Sequence, residues 1–289
     1  MKNPEKLKRS EIPRTVTAAP DGNSLIVGLY DNTIRLWDLK KNQYSAPMEG
    51  HILSVEDVAV TTDGSLIISG SYDHTVKIWD FKTAKCLLTL QGHTKRVRAV
   101  AVSHDNAYIV SASDDETVKI WDRKTGDCRR TLNGHSDRVT SVVITPDNTQ
   151  IVTGSEDKTV KVWNSETGQC QNTLEGHNNY VKSVAVSPDS SKIVSGSKDN
   201  TIKVWDLKTG QCIQTLTGHS KPVVMVVVTP DNIYIISGSY DTTIKVWDIN
   251  NYAIHSEFKH DSSVYYLCLL GPNKIVAGDL FGNIIIWTI

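Results

Sequence analysis

Between Ser54 and Gln91 the chain reads SVEDVAVTTDGSLIISGSYDHTVKIWDFKTAKCLLTLQ. Apolar positions fall in short runs rich in Val, Ile and Thr, with no helical period, so the stretch predicts strands. Three runs are clear, Val55–Val60, Leu66–Ser69 and Thr75–Trp79, and a weaker fourth covers Cys86–Leu90. Turn residues separate them: Thr62-Asp63-Gly64, then Tyr72-Asp73-His74, then Lys82-Thr83-Ala84. Four short strands joined by such turns make one antiparallel sheet. In the third strand Val76 and Ile78 point one way and Trp79 the other. Both faces are therefore apolar, and one such sheet cannot bury them alone.

The pattern returns at a fixed interval. Trp37, Trp79, Trp121, Trp163, Trp205 and Trp247 stand 42 residues apart, and Trp287 follows after 40. Gly-His pairs begin at Gly50, Gly92, Gly134, Gly176 and Gly218 with the same step. Stacking equivalent sheets around an axis covers both faces of each one. Seven Trp imply an all-β, seven-bladed β-propeller of four-stranded antiparallel blades, one domain over residues 1–289. The first unit has Lys8-Arg9 where Gly-His belongs. The seventh has Lys259-His260, and Phe281 replaces the turn Asp. Ile289 follows the third strand of the seventh unit, so its outer strand must come from elsewhere. Counting back 42 from the outer strand expected at Tyr44–Met48 lands on Lys2–Lys6. Residues 1–8 are expected to close the last blade and remove its open edge.

Each of the five full units carries a His, a hydroxyl, an Asp and a Trp. They are His51, Ser69, Asp73, Trp79; His93, Ser111, Asp115, Trp121; His135, Thr153, Asp157, Trp163; His177, Ser195, Asp199, Trp205; and His219, Ser237, Asp241, Trp247. Hydroxyl, His and Asp are the groups of a hydrolase triad. A triad, however, needs one nucleophile in one cleft beside an oxyanion site, and five copies on five blades do not meet that need. Each copy instead makes a satisfiable chain: indole N–H to hydroxyl, hydroxyl to His, the other His nitrogen to Asp. The tetrads read as structural.

At these residues the chain resembles the WD40-repeat family. Gly-His, then a hydroxyl, then Asp, then Trp-Asp is matched in full by five units, from about Gly50 to Ile249, with degenerate units on either side. The resemblance implies a seven-bladed β-propeller that generally acts as a platform for protein or peptide partners. It also implies that the tetrad ties strands together within a blade.

Composition narrows the function. Lys and Arg number 31 against 32 Asp and Glu, a net charge of −1, which opposes broad phosphate binding and makes nucleic acid a poor partner. No apolar run approaches the ~20 residues that span a bilayer, and no secretory signal follows the charged start. Cys86, Cys128, Cys170 and Cys212 recur at the same 42-residue step. Equivalent positions on stacked sheets are about 10 Å apart, too far for a disulfide. A reduced intracellular protein is the natural reading, cytoplasmic ahead of nuclear. His74, His104 and His255 form no ligand cluster, so no metal and no cofactor is expected. Arg35, Lys77, Lys119, Lys161, Lys203 and Lys245 sit two residues before each Trp. Spread one per blade, they read as stems on apolar surface with heads in water, not as a nucleic-acid stripe.

Function in a repeat protein lies where repeats differ at exposed sites. Gly-His and the Asp turn share one rim, which the resemblance implies is the binding face. Three positions per unit should point onto it. In order they are Ile12, Arg14, Tyr30; Ser54, Glu56, Tyr72; Arg96, Arg98, Asp114; Arg138, Thr140, Glu156; Tyr180, Lys182, Lys198; Pro222, Val224, Tyr240; and Ser263, Tyr265, Leu280. Units six, seven, one and two, neighbours in a closed ring, carry Tyr240, Tyr265, Tyr30 and Tyr72. Units three to five carry Arg96, Arg98, Arg138, Lys182 and Lys198, mixed with Asp114 and Glu156. Tyr and Arg often anchor interfaces. The expectation is a non-enzymatic scaffold holding a partner protein or peptide here, a monomeric propeller within a larger complex. An acidic or phosphorylated portion of the partner would meet the basic arc. The alternatives are a propeller enzyme using the central channel, which needs acids or His converging on the axis that the sequence does not reveal, and a sensor or substrate-recognition module of a larger signalling protein.

Overall fold

The computed structural model describes residues 12–289. All its regular elements are strands. Strands consecutive in the chain pair antiparallel into six four-stranded sheets and, from Tyr266 on, a three-stranded one. These are the seven blades, each starting from an inner strand at the axis and running outward. The outer strand expected at Lys2–Lys6, like Lys8-Arg9, lies outside the described residues.

Blade 2 shows how the sequence makes a blade. Its strands are Val55–Val60, Leu66–Ser71, Val76–Asp80 and Cys86–Leu90. The second strand runs two residues past the expected Ser69, and the third begins one residue after Thr75. The cause is the turn between them. Asp73 takes the amide and hydroxyl of Thr75 at 3.0 and 2.6 Å, while Ser71 N–H reaches the Thr75 carbonyl. In blade 1 the outer strand shrinks to Gln43–Tyr44, with a single bridge from Met48 to Ile34. Pro47, which has no N–H to give, interrupts the run expected to reach Met48.

The apolar core lies between blades rather than within them. Ile26 and Ile34 of blade 1 pack with Val55, Ile67 and Trp79 of blade 2. Val110 and Ile120 of blade 3 do the same with Val139, Ile151 and Trp163 of blade 4. Each Trp thus faces the preceding blade. The series closes where Tyr266, Leu270 and Val276 of blade 7 meet Val16, Leu25 and Val27 of blade 1. Blades come close enough that a Cβ on Gly154 would stand 2.7 Å from Val181 of the next blade. Side chains also stitch inner strands laterally. Asp57 Oδ2 accepts the Val100 amide at 2.9 Å, and Ser141 and Ser183 accept those of Val184 and Val226 at 3.1 and 3.2 Å.

The inner strands of blades 1 to 6 share one irregularity. The register slips across their second residue: Arg14, Glu56, Arg98, Thr140, Lys182 and Val224. A bulge leaves one residue without a cross-strand partner and re-aims its side chain. These are six of the positions at which the repeats differ in chemistry.

Candidate interaction face

The tetrads build the rim. In blade 4, Gly134 takes φ 151°, a conformation open to glycine, and a Cβ there would stand 3.2 Å from the Trp163 ring. His135 is thereby set against the Asp turn. Trp163 Nε1 donates to Thr153 Oγ1 at 2.8 Å. With that lone pair taken, the hydroxyl donates to His135 Nε2 (2.7 Å), and Nδ1–H donates to Asp157 Oδ2 (2.7 Å). Asp157 also accepts the Ser136 amide at 3.1 Å and, through Oδ1, the Thr159 amide and hydroxyl. Burial pushes the Asp157 carboxyl up, but hydrogen bonds from His135 and Thr159 outweigh it and hold it well below the usual range. The same contacts recur in the other four sets, at 2.7–2.8 Å between His51 and Ser69 or Asp73, and likewise at His93, His177 and His219. Asp73, Asp115 and Asp199 are held down similarly, and Asp241 to about 2. The indoles of Trp79, Trp121, Trp205 and Trp247 complete them by donating to Ser69, Ser111, Ser195 and Ser237.

The lysines before each Trp keep their heads at the surface, with a partner on the outer strand, except for Lys245. Lys77, Lys119, Lys161 and Lys203 each donate at 2.7–2.8 Å to the Thr opposite them on the outer strand. Lys245 is only 6% exposed and pairs with Glu257. These heads serve as cross-strand partners.

On the rim, the bulged residues and their neighbours form a ladder of ion pairs across five blades. Arg14 grips Glu56 through Nε and Nη2 at 3.0–3.2 Å. Glu56 also receives Arg96 at 3.5 Å. Asp114 holds Arg96 at 3.0 Å and Arg98 as well. Glu156 faces Arg98 at 3.6 Å, Arg138 at 3.7 Å and Lys182 at 3.9 Å. Five cations meet three carboxylates, and the surplus gathers at Glu156. Burial depresses the Lys182 pKa, and Arg98 beside it adds to the effect. The tyrosines interleave with these cations instead of forming a separate arc. Arg14 lies over Tyr30 at 5.8 Å, Arg96 over Tyr72 at 4.9 Å and Lys198 over Tyr180 at 5.3 Å. Tyr240 and Tyr265 pack on each other at 4.7 Å. Val224, placed on the face by its column, is buried.

The ladder rings the mouth of an axial cavity of about 750 Å³. Arg14, Arg98, Lys182 and Tyr265 stand at this mouth, and Pro146, Pro188 and Pro230, which follow the inner strands, at the far end. The expectation that no acid converges on the axis is corrected here, because Glu56 and Asp57 line the wall. Asp57 was hidden by its lack of counterparts: Ala99, Ser141 and Ser183 occupy its place in later units. Lost hydration pushes Asp57 up to about 6, against the hydrogen bonds from Val100 and Thr15.

Three exposed apolar side chains on this rim escaped the column reading. Ile52 is 78% exposed, Phe281 72% and Leu53 44%. The signal for Ile52-Leu53 was present, since the pair after Gly-His elsewhere is Thr94-Lys95, Ser136-Asp137, Asn178-Asn179 and Ser220-Lys221. At Phe281 the turn is held instead by Asp279, which accepts the amides of Phe281 and Asn283.

A family model described as WD domain, G-beta repeat matches residues 9–38, 42–80, 84–122, 126–164, 168–206 and 210–248. The chain belongs to the WD40 family. Among curated proteins none matches it. WD40 propellers generally serve as protein-interaction scaffolds and are typically non-enzymatic. The WD40 match takes in the first unit and stops before blade 7. There Ala277 replaces the tetrad hydroxyl and Phe281 the turn Asp.

Proposed function

We propose that this WD40 propeller is a non-enzymatic scaffold that holds an acidic or phosphorylated segment of a partner protein on the rim bearing the Gly-His and Asp-turn loops. The ion ladder carries the reading. Glu156 is shared by three cations, and Arg138, 54% exposed, reaches it only at 3.7 Å. A carboxylate or phosphate arriving there gains charge-assisted bonds without first breaking a tight pair. The tight pairs at Glu56 and Asp114 hold the remaining arginines in place, which reduces the ordering cost of binding. Support for a non-enzymatic role comes from Asp57, the acid raised toward neutrality: it gives one oxygen to Thr15 and the other to Val100. The four exposed thiols, Cys86, Cys128, Cys170 and Cys212, are free, and they support a reducing compartment, the cytoplasm ahead of the nucleus.

The test is capture of partners from native lysate by the wild-type chain and by Arg138→Glu/Lys182→Glu, each first shown to fold. Captured proteins should be lost from the variant, and wild-type capture should weaken as salt rises. Phosphatase treatment of the lysate separates phosphate from carboxylate recognition. A captured set unchanged by the substitutions overturns the reading.

A further inference from the structure

Among the described residues, blade 2 presents an apolar cluster that no other blade presents in the same place. Ile52 and Leu53 follow its Gly-His pair, where blades 3 to 6 carry only polar residues. Tyr72 in the turn of the same blade is 45% exposed, and Tyr30 in the turn of blade 1 is 46% exposed. One bond draws the two blades together here: Asn32 Nδ2, in the blade 1 turn, donates to the Ile52 carbonyl at 3.2 Å.

The loop is held rather than loose. Ile52 N–H donates to Asp73 Oδ2 at 3.1 Å, and the Leu53 carbonyl accepts Ser71 Oγ at 3.0 Å. The backbone is therefore pinned on both sides of Ile52, and its side chain is left facing water. Single exposed apolar residues are ordinary, but a contiguous group on a fixed loop marks a contact surface. The border of the group is basic. Arg96 covers one side of Tyr72, Arg14 reaches Tyr30, and exposed Lys95 precedes Arg96 in the next loop. Arg14 and Arg96 are already paired with Glu56, and Arg96 with Asp114 as well, so Lys95 is the cation that faces an incoming acid.

We propose that Ile52, Leu53, Tyr30 and Tyr72 form an apolar subsite for the partner segment, taking two bulky apolar side chains followed by a carboxylate that meets Lys95. The occupant is a short peptide stretch of another protein. This rests on the reading of the rim as the binding face and assigns that face a second anchor, away from the cations around Glu156. Aromatic and aliphatic groups on a rigid frame are suited to anchoring, and the neighbouring charge selects which apolar segment is accepted.

A display library of random twelve-residue peptides, selected against the full chain, tests this. The decisive variant is Ile52→Thr/Leu53→Lys, which installs the pair that blade 3 carries at the same positions and so keeps a loop the fold already accepts. Enriched peptides should share two bulky apolar residues beside an Asp or Glu. They should bind this variant at least tenfold more weakly than wild type, while Arg138→Glu/Lys182→Glu changes their affinity less. Peptides that depend on Arg138 and Lys182 but bind Ile52→Thr/Leu53→Lys normally would overturn the subsite and leave the rim reading standing. Peptides indifferent to both variants, or no enrichment, would overturn both. Concentration-dependent dimerisation of wild type that the Ile52→Thr/Leu53→Lys change abolishes would make the occupant a second copy and also overturn the proposal.

Discussion

In blade 4 the Trp163 indole donates to Thr153, and His135 and Asp157 continue the chain. In blade 7 the matching indole, Trp287, has Ala277 where the hydroxyl belongs. His260 is left with Nδ1 3.9 Å from Asp279 and a buried Nε2 that has no partner. Asp279 is served instead by Ser262 and Asn283. Blade 1, next in the ring, has Val27 at the hydroxyl position, and its Trp37 packs edge-on against Tyr44 at 4.6 Å. Blades 2 to 6 thus carry a polar lock inside each sheet, and the pair formed by blades 7 and 1 does not. Yet the core between 7 and 1 is as apolar as the others. The shared core assembles the ring, while the tetrad fixes how each sheet's rim is held. Blade 7, which lacks the lock, is also the blade in which Phe281 replaces the turn Asp.

The largest test of this contrast removes a Trp on each side. Trp163→Ala, at a position 1% exposed, should cost about 3–5 kcal/mol. Trp287→Ala should cost clearly less, because that indole is half-buried and has no hydroxyl partner. Urea midpoints check both, and equal losses would break the contrast.

Next come the carboxylates, whose pH responses should oppose each other. Asp157→Ala strands the His135 donor and should cost about 1–3 kcal/mol at neutral pH. The folded pKa of Asp157 is depressed, so its contribution is present above the ordinary value of 3.8 and is lost as pH falls below it. Asp57 is raised from 3.8 to about 6. Its charged form is penalised above that pH, and the penalty fades as pH falls toward 3.8. Asp57→Asn should therefore add on the order of 2 kcal/mol at pH 7.5 and almost nothing at pH 4. Melting curves across that range would expose a wrong sign in either case.

The smallest effect restores the missing hydroxyl. Ala277→Ser puts a hydroxyl oxygen where both His260 Nε2 and Trp287 Nε1 can reach it, and should stabilise by about 1 kcal/mol. Protection of the blade 7 amides against hydrogen exchange should rise with it. No gain would mean that the seam is held by packing alone.

The architecture was legible because it is periodic. Forty-two-residue spacing of Trp and Gly-His implied seven sheets, and the donor–acceptor inventory implied the order of bonds in each tetrad. The rim was legible as columns of positions but not as contacts. Whether Arg96 is available or already held by Asp114 depends on side chains eighteen residues apart on neighbouring loops, and no spacing rule states that. Ile52 and Leu53 were missed for a related reason. They sit between two invariant-looking features of the repeat, where attention falls on the frame and not on the one unit that departs from it. Asp57 was hidden among small residues, and only the closed ring shows that it lines the axis.

Because every apolar core is shared by two blades, the order of synthesis matters. As the chain leaves the ribosome, each new sheet covers the face of the one before, so six interfaces can form in sequence. The seventh cannot, since Val16 and Leu25 wait for Tyr266 and Val276. During that interval the arc presents a bare sheet face at each of its two ends, and the blade 1 end is exposed for longest. A chaperone acting on this protein would find its client surface there, on residues that the finished ring buries.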